Sequence, residues 1–409
     1  GDYVGVVDGL SGRRAPHGGL LVDPAQPERW LPGFRIADYR RAPVVNVGDE
    51  LATPVVGPLN FRAESFQIAF GGDIEVRRRG PVQQVPVSWA PRLERTTIMT
   101  LNGFNLDAHV EDPALVQDPD RDVDDDVLFG RFDLLAAAIV RCAKSPDIVA
   151  LQEIQDNDGA EITDVVDASE TYRQLIADIR TAGGPDYAWV DIPPVSHADG
   201  GQPGGNIRNG FLFNPTRVEP IEGSLRRIAA ADPAYEDSRK PLAARFRVLQ
   251  GGAVLEVVNV HLASKRHQRG IFSPDRPGYD PREATRIRQG ELVYEALAET
   301  RAKGVDYYIT GDFNDFEFSD TLRALCGAHG INLVDTLPEA ERYDYNHRGQ
   351  LQVLMHGIVP RQLFEAGAVD YEILHGNELI GVEPGVEFTK ASDHAYVMAS
   401  LEVGARRPG

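Results

Sequence analysis

Seven polar side chains interrupt the ends of apolar runs, and together their types suit the hydrolysis of a phosphate ester. Asn102 follows the run 96–101, Glu153 closes 148–152, and His261 follows 257–260. Asp312 and Asn314 follow 307–310 in Gly311-Asp312-Phe313-Asn314-Asp315, and Asp393 and His394 stand just before the last apolar run. Asn102, Glu153, Asp312, Asn314 and Asp393 offer oxygen donors, which hard cations such as Mg²⁺ prefer, and such ions keep water positions open to phosphate. His261 and His394 add imidazoles that titrate near neutral pH and can move a proton or face charge building on phosphorus.

Each residue alone has a plain structural reading. A Glu after a strand can be a loop residue, Gly-Asp-Phe-Asn can be a tight turn built on Asp and Asn, and Ser392-Asp393-His394 can simply open a strand. The shared setting of all seven argues against coincidence. Convergence requires the runs to be strands of compatible direction that end at one rim. The pattern predicts strands near 96–101, 147–152, 210–213, 243–249, 254–260, 305–310, 351–359 and 395–403. Helices are expected at 132–143, 170–181, 283–303 and 322–328, the second with Tyr172, Leu175, Ile176 and Ile179 on one face. Adjacent strands mixed with helices favour packed sheets with helices outside over a pure βαβ repeat.

The 409 residues exceed what one compact core usually holds. Residues 1–92, rich in Gly, Pro and Val, read as a β-rich module or extended arm, and 93–404 as the catalytic domain. No run approaches the ~18 apolar residues of a membrane helix, and no obligate protein partner is evident. Gly1-Asp2-Tyr3-Val4 has no leader character, and a start at Gly reads as processing. A secreted or periplasmic protein whose leader is absent here is one expectation, resting on the resemblance given below, with a cytoplasmic one as the alternative. A net charge of −20 argues against nonspecific wrapping of nucleic acid, though not against an enzyme that meets phosphate through metal. Cys142 and Cys326 read as buried thiols, and the acidic segment 111–126 as a solvated loop, with a calcium site as the alternative.

Taken in order, Asn102, the run 146–153, Asn259-Val260-His261, Gly311-Asp312-Phe313-Asn314-Asp315 and Ser392-Asp393-His394 resemble the endonuclease/exonuclease/phosphatase superfamily, the deoxyribonuclease I-like group. The resemblance spans about residues 93–404 and implies an α/β fold, a four-layer α/β/β/α sandwich, with Mg²⁺ (or Mn²⁺ or Ca²⁺) at one edge. It implies metal-site roles for Asn102, Glu153 and Asp393, and water and phosphate positioning by Asp312 and Asn314. His261 and His394 would flank the scissile phosphate. Ser238-Arg239-Lys240-Pro241 resembles a segment that brings a basic residue to the phosphate, and 205–210, with Arg208 and Asn209, a pocket edge. One position departs from the family. Met355 occupies the place of an aspartate that orients the final histidine, so activity that is reduced, altered in substrate or lost is the expected consequence.

The segment 262–282 carries Lys265, Arg266, Arg269, Arg276 and Arg282 against Asp275 and Asp280, a basic excess suited to a polyanion, Lys265 being the expected substrate contact. The N-terminal module and the segment Arg239-Lys240-Pro241-Leu242 together resemble secreted bacterial nucleases. The expected activity is a metal-dependent phosphodiesterase acting on DNA or RNA. Small phosphate esters or phospholipid headgroups are the second reading, and a catalytically weakened binding protein the third.

Overall fold

The computed structural model describes residues 4–6, 20–22, 49–62, 65–68, 75–78, 85–266, 268, 279–347, 350–379 and 390–404. Most of the expected N-terminal module lies outside these residues. Its described strands pair only with one another: Val4–Val6 with Leu20–Val22, Glu50–Leu51 with Val76–Arg78, and Leu59–Arg62 with Ser65–Ile68.

From Thr96 the chain alternates strands and helices. The first strand, β1 (Thr96–Leu106), is joined through helix α1 (Arg131–Ala137) to β2 (Ile148–Ile154). Helix α2 (Ser169–Thr181), β3 (Ala188–Asp191) and β4 (Arg208–Phe213) follow. Next come β5 (Val218–Pro220), β6 (Leu242–Val248), β7 (Val254–His261), helix α3 (Glu283–Ala296) and β8 (Asp306–Asp312). The last part holds α4 (Asp320–Cys326), β9 (Gly330–Asn332), β10 (Tyr345–His347) and β11 (Gln350–Gln352). The strands β12 (Met355–Pro360), β13 (Val369–Leu374) and β14 (Tyr396–Leu401) complete it.

These strands make two large sheets, one six-stranded in the order β13-β14-β1-β2-β4-β3, the other seven-stranded along β5-β6-β7-β8-β12-β9 with Arg226–Arg227 paired to β6, and β10 and β11 form a separate hairpin. Alternation along each strand explains the layers. Ile98, Ala150 and Phe211 meet Phe246, Val257 and Tyr308 in the core between the sheets. Their neighbours Met99, Val149 and Leu212 turn outward to Phe132, Leu135, Tyr172 and Ile179. On the far side Val258, Val260 and Ile309 pack against Val293, Leu297, Leu322 and Leu325. This is the α/β/β/α sandwich expected.

Several elements differ in extent from the expectation. The helix expected over 132–143 ends as α1 at Ala137 and continues as a wider π turn over Ala138–Cys142, closed by Ala143 N–H on the Ala138 carbonyl. The helix expected over 283–303 breaks at Leu297 before a short Ala298–Ala302 helix. The strand expected over 351–359 is two strands, because Leu354 turns its N–H to the Asp344 carboxylate and its carbonyl to Phe313 N–H. Cys142 and Cys326 are only partly buried, at the edges of the two outer cores.

The acidic segment is solvated over its middle, residues 112–121 being mostly exposed, but not at its two ends. Glu111 and Asp126 are buried with Asp107, and Asp126 pairs with the buried Arg131. Oxygens of Asp107, Asp124 and Asp126 lie within 4.8 Å of one another. Burial first, then the charges of Glu111 and Asp126, pushes Asp107 up to about 9.

Candidate active site

Each sheet contains one parallel pair, and the chemistry sits at the C-terminal ends of both. In one sheet β1 runs parallel to β2, with Asn102 level with Gln152, next to Glu153. In the other β7 runs parallel to β8, with His261 level with Asp312. Strand β14 runs antiparallel to β1, so its beginning, just after His394, comes to the same rim. Below the rim a buried polar clasp ties the sheets: Gln152 Nε2 donates to Asn259 Oδ1 (2.6 Å), and Asn259 Nδ2 donates to the Leu151 and Gly210 carbonyls. Gly311 has φ +135° and crowds the Val260 backbone, where a Cβ would collide, so only glycine lets β7 and β8 close up at Asp312.

The strand ends are bent to aim their side chains. Glu153 has φ +55° and Asn314 φ +50°, left-handed conformations that bulky residues hold only under constraint. Asn102 Nδ2 donates to Glu153 Oε1 at 3.1 Å and reaches Asp312 Oδ2 at 3.5 Å, while Asn105 N–H donates to Glu153 Oε2. Asp312 Oδ1 accepts the Asn314 N–H at 2.8 Å. Its Oδ2 lies 3.7 Å from Nε2 of both His261 and His394, and His261 Nε2 is also 3.7 Å from Glu153 Oε1. Burial raises Asp312 to about 7 against the pull of His394. Burial, then the Asp393 charge, raises Glu153 as well. The two histidines diverge. Burial, with the positive charges of Arg239 and His394, lowers His261 well below its usual value. For His394 burial acts the same way but is outweighed by Asp393, Asp344 and Asp312, and it rises to about 10.

His394 does have its carboxylate partner, from a residue the sequence reading passed over. Asp344, fully buried, places Oδ2 2.6 Å from His394 Nδ1, and its Oδ1 accepts the N–H groups of Leu354 (2.5 Å) and Met355 (3.0 Å). Met355 instead fills the inter-sheet core, opposite Asp312 in the β8–β12 register. The expectation of a histidine left without an orienting carboxylate is thus corrected, because a strand-pairing argument could not see the turn ten residues upstream folding back. Tyr345 was also missed; its ring lies 4.7 Å from that of His394, and burial, then the charges of Asp393, Asp312 and Glu153, raises its hydroxyl.

Of the expected substrate contacts, Arg239 reaches the site. It is buried, bonds the Leu262 carbonyl through Nη2, and faces the charges of Glu153 and Asp312. Asn209 lies beneath, donating to the Lys240 and Asn259 carbonyls with its Oδ1 buried and unmatched. Two are committed elsewhere. Arg208 is buried on the Val166 and Asn206 carbonyls and beside Asp191. Lys265 is held by Asp315 (2.8 Å) and Asp280 (3.0 Å). Arg266 is exposed; Arg269, Arg276 and Asp275 lie outside the described residues.

The donor set fits a hard divalent cation. Ligand atoms of Glu153, His261 and Asp312 lie within 4.8 Å of one another, and burial raises both carboxylates. Asn102 touches two of the three, while Asp393, half-buried, stands outside that group and acts on it by charge.

The family described as Endonuclease/Exonuclease/phosphatase matches residues 127–397. The chain belongs to this family. As a member it is a metal-dependent phosphoric ester hydrolase. No curated protein matches it. Among solved structures, the human Nocturnin catalytic domain with bound sulfate is similar at 14% identity, covering 76% of this chain and 95% of that one, TM-score 0.48. A humanized TDP2 of D. rerio is similar at 15% identity over 75% and 98%, TM-score 0.48. A family protein of Bacteroides vulgatus is similar at 15% over 76% and 99%, TM-score 0.48. Among the described residues, no helix is long and apolar enough to cross a membrane.

Proposed function

We propose that this family member is a phosphodiesterase that cleaves DNA or RNA by in-line attack of water on phosphorus. The observation that carries the reading is Asp312, whose Oδ2 stands equidistant from the Nε2 atoms of His261 and His394 beside Glu153. Glu153, its side chain 18% exposed, and Asp393 reach the surface of the rim, where a phosphate can meet them.

Glu153, with Asn102 and Asp393 beside it, would hold Mg²⁺, or Mn²⁺ or Ca²⁺ in its place. When bound, the ion supplies positive charge that polarises a phosphoryl oxygen. Asp312, steadied by the Asn314 N–H, orients water and takes its proton as the oxygen attacks phosphorus. The P–O bond opposite breaks as the new one forms. His394, fixed through Nδ1 by Asp344, presents Nε2 to the site to give the leaving oxygen a proton, and Arg239 offsets charge on the phosphoryl group. His261 lines the same group of atoms from β7.

Small phosphate esters remain the second reading. The third, a weakened binding protein, rested on Met355 and loses that support to Asp344. Supercoiled plasmid incubated in EDTA, Mg²⁺, Mn²⁺ or Ca²⁺ tests the proposal. Metal-dependent nicking by the wild type that vanishes in Glu153→Ala is expected. Turnover of an aryl phosphodiester alone would transfer the site to small esters, and no turnover at all would sink the enzymatic reading of these residues.

A further inference from the structure

Two aromatic groups stand beside the reacting side chains, one on the irregular end of β1 and one on the loop after β8, and the chemistry assigned above uses neither. Phe104 lies two residues beyond Asn102. Its φ is +55°, as is that of Asn105, so the chain holds two successive non-glycine residues in the left-handed region there. The strained peptide is tied to the site, since Phe104 N–H donates to Asn102 Oδ1 and Asn105 N–H to Glu153 Oε2. The Phe104 ring is backed by the guanidinium of Arg131, 5.5 Å from its centroid, and Arg131 is itself buried and anchored to the Gly103 and Phe104 carbonyls. Even so, 38% of Phe104 is left to solvent.

The second group leaves the other sheet from the neighbouring strand end. Phe316 follows Asn314 by two residues and stacks on Phe318, centroids 5.5 Å apart and planes 26° from parallel. Lys265 Nζ lies 4.7 Å from the Phe316 centroid, and Phe318 is 57% exposed. Asn102 and Asp312, two and four residues before these rings, are themselves joined side chain to side chain at 3.5 Å. A lone exposed phenylalanine needs no explanation. Two cation-backed rings, one of them held at a conformational cost, on the two strand ends that build one site, do.

Electrostatics narrows what they receive. The chain carries a net charge of −20, and Lys265 and Arg208 are engaged by protein partners, leaving chiefly Arg239 and the exposed Arg266 of the expected cations among the described residues, a supply that favours contacts not dependent on charge. Stacking on an aromatic ring does not need that charge, but it needs a base whose face is exposed, which a duplex hides. We infer that Phe104 and the Phe316–Phe318 pair stack unpaired bases on either side of the scissile phosphate, which makes single-stranded nucleic acid the substrate class. This rests on the nucleic-acid reading proposed above.

Binding and cleavage test it separately. In EDTA, a single-stranded oligonucleotide containing 2-aminopurine should be quenched on binding. Phe104→Ala and the exposed Phe318→Ala should each weaken binding roughly 5- to 100-fold, the worth of a base–aromatic stack. Phe318→Trp should keep the quench and Phe318→Leu should lose it. In the activating metal, the wild type should cut a base-bearing strand faster than duplex and faster than an abasic strand of equal length, and the alanine variants should bring the last ratio toward one. Equal cleavage of abasic and base-bearing strands, faster cleavage of duplex, or unchanged binding by both alanine variants would overturn the inference while leaving a phosphodiesterase in place. Failure to cut any strand or plasmid would overturn both.

Discussion

Asp344 Oδ2 lies 2.6 Å from His394 Nδ1, while its other oxygen takes the Leu354 and Met355 N–H groups. One buried carboxylate thus locks the imidazole's tautomer and seats the turn before β12 against the site. Replacing Asp344 with Ala should cut kcat about 10²- to 10⁴-fold, the scale seen when a histidine loses its orienting carboxylate. Met355→Asp in the wild type should not speed the enzyme, because it would bury a second carboxylate in the apolar core opposite Asp312. In the Asp344→Ala background the same change should recover part of the rate. Steady-state kinetics on the four proteins decides it, and additive effects would show that positions 344 and 355 do not share one role.

Asp312 is asked to accept a proton, and an isosteric amide cannot. Asp312→Asn keeps an oxygen for the Asn314 N–H and should fold normally. Its kcat should fall about 10²- to 10⁴-fold with KM changed little. A fall in KM-limited rate alone would mean that Asp312 binds substrate without activating water.

The clasp under the rim should matter to stability as much as to rate. Asn259 is fully buried, and its amide serves Gln152, Leu151 and Gly210 across the two sheets. Asn259→Ala strands these partners, and about 3 kcal/mol of destabilisation is expected from unsatisfied buried groups. Urea unfolding measures it. A change under about 0.5 kcal/mol, typical of neutral surface sites, would show that the clasp is not needed to hold the sheets together.

Much of this site was legible because strands write their ends plainly. Asn102, Glu153, His261 and Asp312 each follow a run of buried apolar residues, and the two parallel pairs bring those ends level. Asp344 was not legible, since it sits in a polar stretch with no apolar run to mark it and acts through a fold-back that only three dimensions reveal. Arg208 and Lys265 misled for a related reason. Sequence shows that a cation is near a site, but not that Asp191, Asp280 and Asp315 have already claimed it. The split of the 351–359 strand follows from the same Asp344 contacts, which override local β propensity.

The carboxyl of Asp156, just past β2, predicts how stability varies with pH. Burial first, then its contact with Asp158, raises it to about 8 against the Asn206 amide that bonds Oδ2. A carboxyl raised on folding contributes its full share below the unfolded value near ~4 and loses it as pH climbs through the folded one. Thermal stability in EDTA should therefore decline between about pH 4 and 8. Asp156→Asn keeps an acceptor for the Asp158 N–H and cannot ionise, so its decline should be shallower and its melting temperature above wild type at the alkaline end. Parallel melting curves for the two proteins across that range would mean that Asp156 does not carry the buried proton.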